Sequence, residues 1–361
     1  MDRRQFTRLS ALALAATQLR SYAQTPGASQ KPFGFAPIGL GTISEIFMRA
    51  CAKSQTAKVT GLVTGHPEEK GTKYGAMYGV PATSIYTYET FDRIRDNKEI
   101  DAVYVGLPNS MHREYTIRAA EAGKHVLCEK PMAISSAECR EMIAACRAAN
   151  VKLMIGYRCH YDAPYLEAER VIQSGALGQL QAFEGSFGFN AKPGIWRLTK
   201  KYAGGGSLMD VGIYPLNAMR FFTREEPVGF TAVTATRDHS GKFAEVEESI
   251  DFTLKFPSGI AAAAGSSYGA NMPGFLQIHG DKGSLEIAPA YGYTGIHVRG
   301  FGNIQADAPS PEVDTTDFQH EAEHFAQCVR TNTEPRTPGE EGLKDMIAIE
   351  AIYKAAGAPI A

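Results

Sequence analysis

The chain has 361 residues, 44% of them hydrophobic and 21% charged, with 37 basic and 39 acidic residues for a formal net charge of −2. That length suits two domains, and so even a charge balance implies no basic face for nucleic acid. The longest apolar stretch, Leu9 to Ala16, is interrupted by Ser10 and is far too short to span a bilayer, so no stable membrane association is expected. Six cysteines (Cys51, Cys128, Cys139, Cys146, Cys159 and Cys328) are scattered without a CxxC pair. They read as small buried apolar residues rather than a disulfide or metal framework.

The chain opens with Arg3-Arg4-Gln5-Phe6 ahead of a mild Ala/Leu run from Leu9 to Leu19, and Ser21-Tyr22-Ala23 offers the small residues a signal peptidase reads. This fits a cleavable twin-arginine export signal over residues 1–23, cut after Ala23. That route carries folded proteins, so the twin-arginine machinery is an expected partner and the periplasm the expected location. Residues 24–32 are polar, contain Pro26 and Gly27, and read as a flexible arm.

From residue 33 the pattern changes. Phe35 to Leu40 is a short apolar run that leads into Gly39-Leu40-Gly41-Thr42-Ile43-Ser44 and a helix-like stretch from Glu45 to Lys53. Strand, glycine turn, helix is the context in which a Gly-x-Gly-x-x-small fingerprint cradles a pyrophosphate on a helix N-terminus. The second strand, Lys58 to Val63, ends in Thr64-Gly65-His66, with Lys70 following. A carboxylate there would select NAD by holding the ribose 2′-hydroxyl. Thr64 and Lys70 suit a 2′-phosphate instead, so NADP is preferred over NAD. Helix-like Lys73 to Tyr78 and Tyr88 to Ile94 follow. Ala102 to Gly106 is a strand ending at Leu107-Pro108-Asn109, and Arg113 to Glu121 is a helix. His125 to Cys128 is a strand that ends in Glu129-Lys130-Pro131, and His112 reads as a structural cap beside the cofactor. Strands alternating with helices predict an α/β Rossmann domain, a parallel doubly wound sheet with its ligand at the strand carboxyl ends, over 33–153.

The remainder, 154–361, reads as an α+β domain. Ser135-x-x-Glu138 is a capping box for a helix to about Ala149, and Thr337-Pro338-x-Glu340 is a second one. After a strand over Val151 to Ile155 and a helix over Pro164 to Gln173, alternating runs predict a large, mostly antiparallel open sheet. The runs are Gln181 to Phe189, Phe230 to Thr236, Ser249 to Phe256, Ile260 to Tyr268, Phe275 to His279, Leu285 to Ile287 and His297 to Arg299. Helices over Phe318 to Arg330 and Glu340 to Tyr353 close the chain. Between the first runs stand Trp196-Arg197 and Gly204-Gly205-Gly206. Asp210 and Tyr214 follow at i, i+4, on one side of a helix-like run.

Gly39-x-Gly41-x-x-Ser44, Pro108-Asn109-x-x-His112 and Glu129-Lys130-Pro131 together resemble the glucose–fructose oxidoreductase and inositol dehydrogenase (Gfo/Idh/MocA) family. Tyr214, with Gly156-Tyr157-Arg158-Cys159-His160-Tyr161, is similar to its glucose–fructose and aldose–aldose oxidoreductase branch. The resemblance implies a sugar oxidoreductase with Lys130 beside the nicotinamide, a cis Lys130–Pro131 bond, and a tightly bound cofactor. It also implies the sites. The catalytic group would be Lys130, Tyr214 and Asp210. Gly39, Gly41, Thr42, Ile43, Thr64, Lys70, Leu107, Asn109, His112, Glu129, Lys130, Arg158, Trp196 and Arg197 would hold the cofactor. Lys130, Tyr157, Arg158, Tyr161, Asp210 and Tyr214 would hold the sugar, with no metal.

Oxidising a sugar hydroxyl removes a hydride from carbon and a proton from oxygen. A free tyrosine has a pKa of about 10, and a neighbouring ammonium favours its phenolate. Tyr214 is therefore expected to be the acid/base, Lys130 its electrostatic partner, and Asp210 the group that orients lysine or sugar. The expected reaction oxidises an aldose to its lactone and reduces a second sugar to its alditol on retained NADP. A dehydrogenase with exchangeable NAD(P), a redox-assisted glycosidase and a silent sugar-binding protein stand as alternatives. An open sheet with one exposed face predicts a homodimer or homotetramer.

Overall fold

The computed structural model describes residues 31–360. The expected export signal and all of the expected arm except Lys31 and Pro32 lie outside the described residues.

The first sheet is parallel throughout and contains β1 (Phe33–Ile38), β2 (Ala57–Val59), β3 (Leu62–Val63), β4 (Ile85–Tyr86), β5 (Ala102–Val105), β6 (His125–Glu129) and β7 (Leu153–Gly156). Its order is β4-β3-β1-β5-β6-β7, with β2 also on β1. Every residue of β1 and β5 is buried. That is why these runs are continuously apolar rather than alternating: helices cover both faces. The strand expected over Lys58 to Val63 is interrupted at Thr60-Gly61, where both N–H groups turn to the Phe35 carbonyl, at 2.8 and 3.4 Å. The order reverses at β1, so the crevice beyond the carboxyl ends of β1 and β5 is the topological switch point.

Helices α1 (Thr42–Lys53), α2 (Thr72–Tyr78), α3 (His112–Glu121) and α4 (Ser136–Ala148) belong to this half. Ser135 caps α4, its hydroxyl accepting the Glu138 N–H at 3.2 Å as the capping box requires. The run expected as a helix over Tyr88 to Ile94 is only a 3₁₀ turn over Phe91–Asp96. Thr87 and Thr90 hydroxyls bond each other's backbone N–H groups there and hold the chain in a turn.

The second sheet holds β8 (Leu180–Gly188), β9 (Gly229–Ala235), β10 (Ser249–Lys255), β11 (Ala261–Ser267), β12 (Met272–Gly280), β13 (Ser284–Ile287) and β14 (Val298–Phe301), in the order β14-β13-β12-β8-β11-β10-β9. All its pairs are antiparallel except β8 with β11. Burial alternates residue by residue along β10, so one face is packed and one is open, and Val233 on the open face is 60% exposed. Helices α5 (Ala163–Gln173), α6 (Lys200–Ala203) and α7 (Ile213–Thr223) complete this part.

The last two helices, α8 (Thr316–Thr331) and α9 (Gly339–Ala355), return to the first sheet. Phe325 of α8 packs against Phe33 and Phe35. The capping box expected at Thr337 does not form. Pro338 stands at the N-cap of α9, and the Thr337 hydroxyl donates to the Ile155 carbonyl at 2.7 Å, tying the helix start to β7. The expected boundary between 153 and 154 thus falls inside a strand.

Candidate active site

A cleft of about 920 Å³ runs from the turn after β1 to Tyr214 on α7. At one end Gly39 has φ +79°, and a Cβ there would meet Leu107 Cδ2 at 2.6 Å. A side chain at that position is excluded both by backbone conformation and by space. Gly41 is the reverse: no atom lies within 4 Å of where its Cβ would be, so its backbone faces open cleft. It also precedes α1 without any side-chain cap, which leaves the first N–H groups of the helix for an anion. Ser44 is small for a separate reason. It is fully buried, and its Oγ lies 2.3 Å from where a Cβ on Gly106 would stand. Gly41, Thr42 and Ile43 line this end, as do Leu107, Asn109, Thr64 and Lys70.

The ribose corner carries a hydroxyl and a cation. Lys70 Nζ donates to the Leu40 carbonyl at 3.1 Å, which holds the ammonium beside the turn, and the Thr64 hydroxyl accepts the His66 N–H at 3.1 Å. Among the described residues the only carboxylates that line the cleft are Glu129 and Asp210, and neither belongs to the ribose corner. A dinucleotide therefore fits: uncapped helix N–H groups for its pyrophosphate, with Thr64 and Lys70 beside its ribose.

At the other end Lys130, bound to a cis Pro131, leaves β6. Its ammonium donates to the Asp210 carbonyl at 2.7 Å and to Asp210 Oδ1 at 3.2 Å. It also lies 4.5 Å from the centre of the Tyr214 ring. Asp210 Oδ2 accepts the Tyr268 hydroxyl at 2.9 Å and stands 2.9 Å from Arg197 Nε, a charge contact without hydrogen-bond alignment. Burial works against both charges. For Asp210, Lys130 and Arg197 outweigh it and hold the carboxyl down at about 2. For Lys130, Tyr214, Asp210 and Glu129 outweigh it and raise the ammonium above the ordinary lysine value.

Backbone geometry explains how Asp210 and Tyr214 come to this place. Residues Leu208–Gly212 form a single π turn that runs into α7. The three glycines ahead of it lie too close to their neighbours for side chains. A Cβ on Gly205 would meet the Tyr353 hydroxyl at 2.4 Å, and one on Gly206 would meet the Glu247 carbonyl at 2.3 Å.

The other expected site residues divide into two groups. Trp196, Arg197, Glu129 and Arg158 line the cleft. Glu129 accepts the Tyr104 hydroxyl at 2.6 Å and the Lys130 N–H at 3.1 Å. Arg158 spends its terminal nitrogens within the protein, on the Tyr291 carbonyl (2.6 Å), the Gly292 carbonyl (2.9 Å) and Asp317 (3.1 Å). His112, Tyr157 and Tyr161 do not line the cleft. His112 is buried between the Leu107 and Pro131 carbonyls, at 2.8 and 2.9 Å, and braces the loops after β5 and β6. Tyr157 donates to buried Asp345 at 2.6 Å, and Tyr161 packs beside His324. Local chain direction turns the His112 and Tyr161 side chains into the core, whereas Tyr157 also borders a small cavity shared with Lys130 and Tyr214. All six cysteines are free and buried, as expected.

Sequence reasoning missed Tyr268, Tyr293 and Phe187. Tyr293 stacks on the Arg158 guanidinium at 4.7 Å, and Phe187 meets Tyr214 edge-on at 5.7 Å. They come from strand ends and a loop with no motif, so only the fold assembles them.

A Rossmann sheet whose glycine turn shares one cleft with a buried ammonium and a phenol is the architecture of a nicotinamide-dependent oxidoreductase. Residues 33–157 match the oxidoreductase family with the NAD-binding Rossmann fold, GFO/IDH/MocA, and residues 165–286 match the GFO/IDH/MocA C-terminal domain. The chain belongs to this GFO/IDH/MocA oxidoreductase family and is an oxidoreductase. It is similar to the aldose-aldose oxidoreductase of Caulobacter crescentus, solved with glycerol, at 45% identity over 91% of this chain and 98% of that one, with a TM-score of 0.86. It is 31% identical to the NADP(+) D-xylose 1-dehydrogenase of Haloarcula marismortui, over 92% of this chain and 93% of the relative. It is 26% identical to the 1,5-anhydro-D-fructose reductase of Ensifer adhaerens, over 88% and 95%.

Proposed function

We propose that this protein oxidises an aldose to its lactone and reduces a second sugar on the same retained NADP. The observation that carries the reading is the Lys130 ammonium 4.5 Å from the Tyr214 ring, in one cleft with the Gly39 turn. The 45% identity with an aldose-aldose oxidoreductase supports a two-sugar reaction.

Gly41, Thr42 and Ile43 would receive the pyrophosphate, and Thr64 and Lys70 the 2′-phosphate. Bound NADP supplies the hydride acceptor and donor. Tyr214 takes the proton from the sugar hydroxyl during oxidation and returns one to the carbonyl of the second sugar. Lys130 meets the negative charge that the phenol acquires. Asp210 holds Lys130 by its carbonyl and by Oδ1, so the ammonium is positioned before substrate arrives. Phe187 and Tyr293 flank this end and reduce its exposure to water. Export completes the proposal: the Arg3-Arg4 signal would deliver the folded, cofactor-loaded protein to the periplasm, and the open sheet face would pair with a copy.

The xylose dehydrogenase relatives favour a second reading, with exchangeable NADP. Native mass spectrometry of the purified protein, followed by absorbance of the reduced-nicotinamide band, separates the two. Retention expects one NADP per subunit and a reduced band that a donor sugar raises and an acceptor sugar bleaches. A nucleotide-free protein that reduces added NADP with an aldose would exclude retention. No binding of NADP by either method would sink the cofactor assignment itself.

A further inference from the structure

Beneath the cleft lies a second charged group that the proposed mechanism does not use. Four buried carboxyls surround one cation, Arg158. They are Glu129 at the end of β6, Asp162 in the loop before α5, and Asp317 and Glu321 on α8. Arg158 bonds only Asp317 among them. Both oxygens of Asp162 and of Glu321, and Asp317 Oδ1, have no partner, although Asp162 is 1% exposed and Glu321 0%. Unpartnered buried carboxylates are strongly disfavoured, so these groups hold protons or share them.

The directions agree. Burial raises all four, and Asp162 reaches about 8, with Asp317 adding to the burial and Arg158 opposing it. Glu321 is raised further by Glu129 and Asp317. The other titratable groups facing the cluster are Lys130 and Tyr104 toward Glu129, Tyr214, Cys159 and Tyr293 toward Arg158, Cys159 and Tyr165 toward Asp162, Tyr104 and Tyr161 toward Glu321, and His320 toward Asp317. Lys130 is already compensated by Asp210. No set of three or more acidic, histidine or cysteine side chains among the described residues is arranged to hold a metal ion.

Glu129 and Arg158 connect the cluster to the cleft, since both line it. A nicotinamide ring is cationic when oxidised and neutral when reduced. A site above an anionic cluster holds the cationic form more tightly, and a site above a protonated cluster does not. We propose that the Glu129–Asp162–Asp317–Glu321 cluster around Arg158 sets which redox state of the cofactor the protein prefers, favouring the oxidised ring when ionised and losing that preference as it takes up protons. By reciprocity, reduction of the ring draws protons into the cluster. The proposal rests on the cofactor reading above, and it names residues outside the Lys130–Tyr214 centre.

The test is binding, not turnover. The full chain, freed of nucleotide, is titrated calorimetrically with NADP⁺ and with NADPH from about pH 6 to about pH 9, a range that brackets a carboxyl raised to about 8. The 2′-phosphate is common to both nucleotides and cancels in the ratio. The ratio Kd(NADPH)/Kd(NADP⁺) should rise about tenfold across the range, the change carried by a tenfold displacement of one proton equilibrium. The double variant Asp162→Asn/Glu321→Gln, which keeps the shape of the neutral acids, should flatten that rise to less than about twofold. A pH-independent ratio in the unsubstituted protein, or the same rise in the double variant, would overturn this inference alone. Failure of both nucleotides to bind would overturn the cofactor reading and the inference with it.

Discussion

Two charged groups flank Tyr214, and they are built differently. On one side every oxygen of Asp210 has a partner: Lys130 on the backbone carbonyl and on Oδ1, Tyr268 and Arg197 on Oδ2. On the other side Arg158 is surrounded by more carboxyls than it can satisfy, and Asp162 and Glu321 have no partner. The first arrangement fixes an ammonium in one position and keeps it charged. The second leaves protons free to come and go. A buried pair with complete compensation confers geometry, whereas a cluster with incomplete compensation confers responsiveness to pH.

The comparison breaks most severely at Lys130. Lys130→Met should lower kcat/KM by roughly 10²-fold or more, because the positioned charge at the reacting end is lost. Asp210 keeps Tyr268 and Arg197, so the far-ultraviolet circular dichroism should be unchanged. A near-normal rate in this variant would remove Lys130 from the mechanism.

The under-compensated side answers to stability rather than rate. Asp162 has a folded-state pKa of about 8 against an ordinary 3.8, so the folded chain holds a proton between those values that the unfolded chain has lost. Stability from this group is complete below about pH 4 and falls as pH rises through about 8. Asp162→Asn should therefore leave urea unfolding unchanged near pH 4 and stabilise the protein increasingly above it, by up to about 1.4 kcal/mol per pH unit until about pH 8. Equal midpoints for the two proteins at alkaline pH would show that Asp162 is not buried against an unfavourable charge.

The smallest effect is expected at the edge of the compensated side. Tyr268→Phe removes one of the donors to Asp210 Oδ2 and leaves the packing against Phe189 in place. A loss of about 1–2 kcal/mol in stability is expected, with a decline of severalfold in kcat and little change in KM. A larger change in KM than in kcat would instead make Tyr268 part of the sugar pocket.

Much of this was legible in the chain. Periodicity identified most of the strands and helices of both sheets, since a buried parallel strand and a half-buried antiparallel one leave different patterns. The glycine turn and Glu129-Lys130-Pro131 were legible because their chemistry depends on neighbours in sequence. Turns stabilised by side-chain hydroxyls were harder. Thr87 and Thr90 made a 3₁₀ turn from what reads as a helix, and Thr337 bonds β7 where a cap was expected. Both outcomes depend on where a hydroxyl finds its partner, which periodicity does not encode.

The local order of strand, glycine turn and helix follows from the sequence alone, because it is set by residues within a few positions of one another, whereas the ammonium, phenol and carboxylate of the proposed centre were expected from the family resemblance. Only the tertiary structure decided that Lys130 meets Asp210 across 80 positions of chain, that Arg158 faces inward to Asp317 across 159, and that Tyr161 turns away from the cleft. Side-chain direction and burial depend on how two sheets and two returning helices pack. The same packing determines which carboxyls are compensated and which are left to hold a proton.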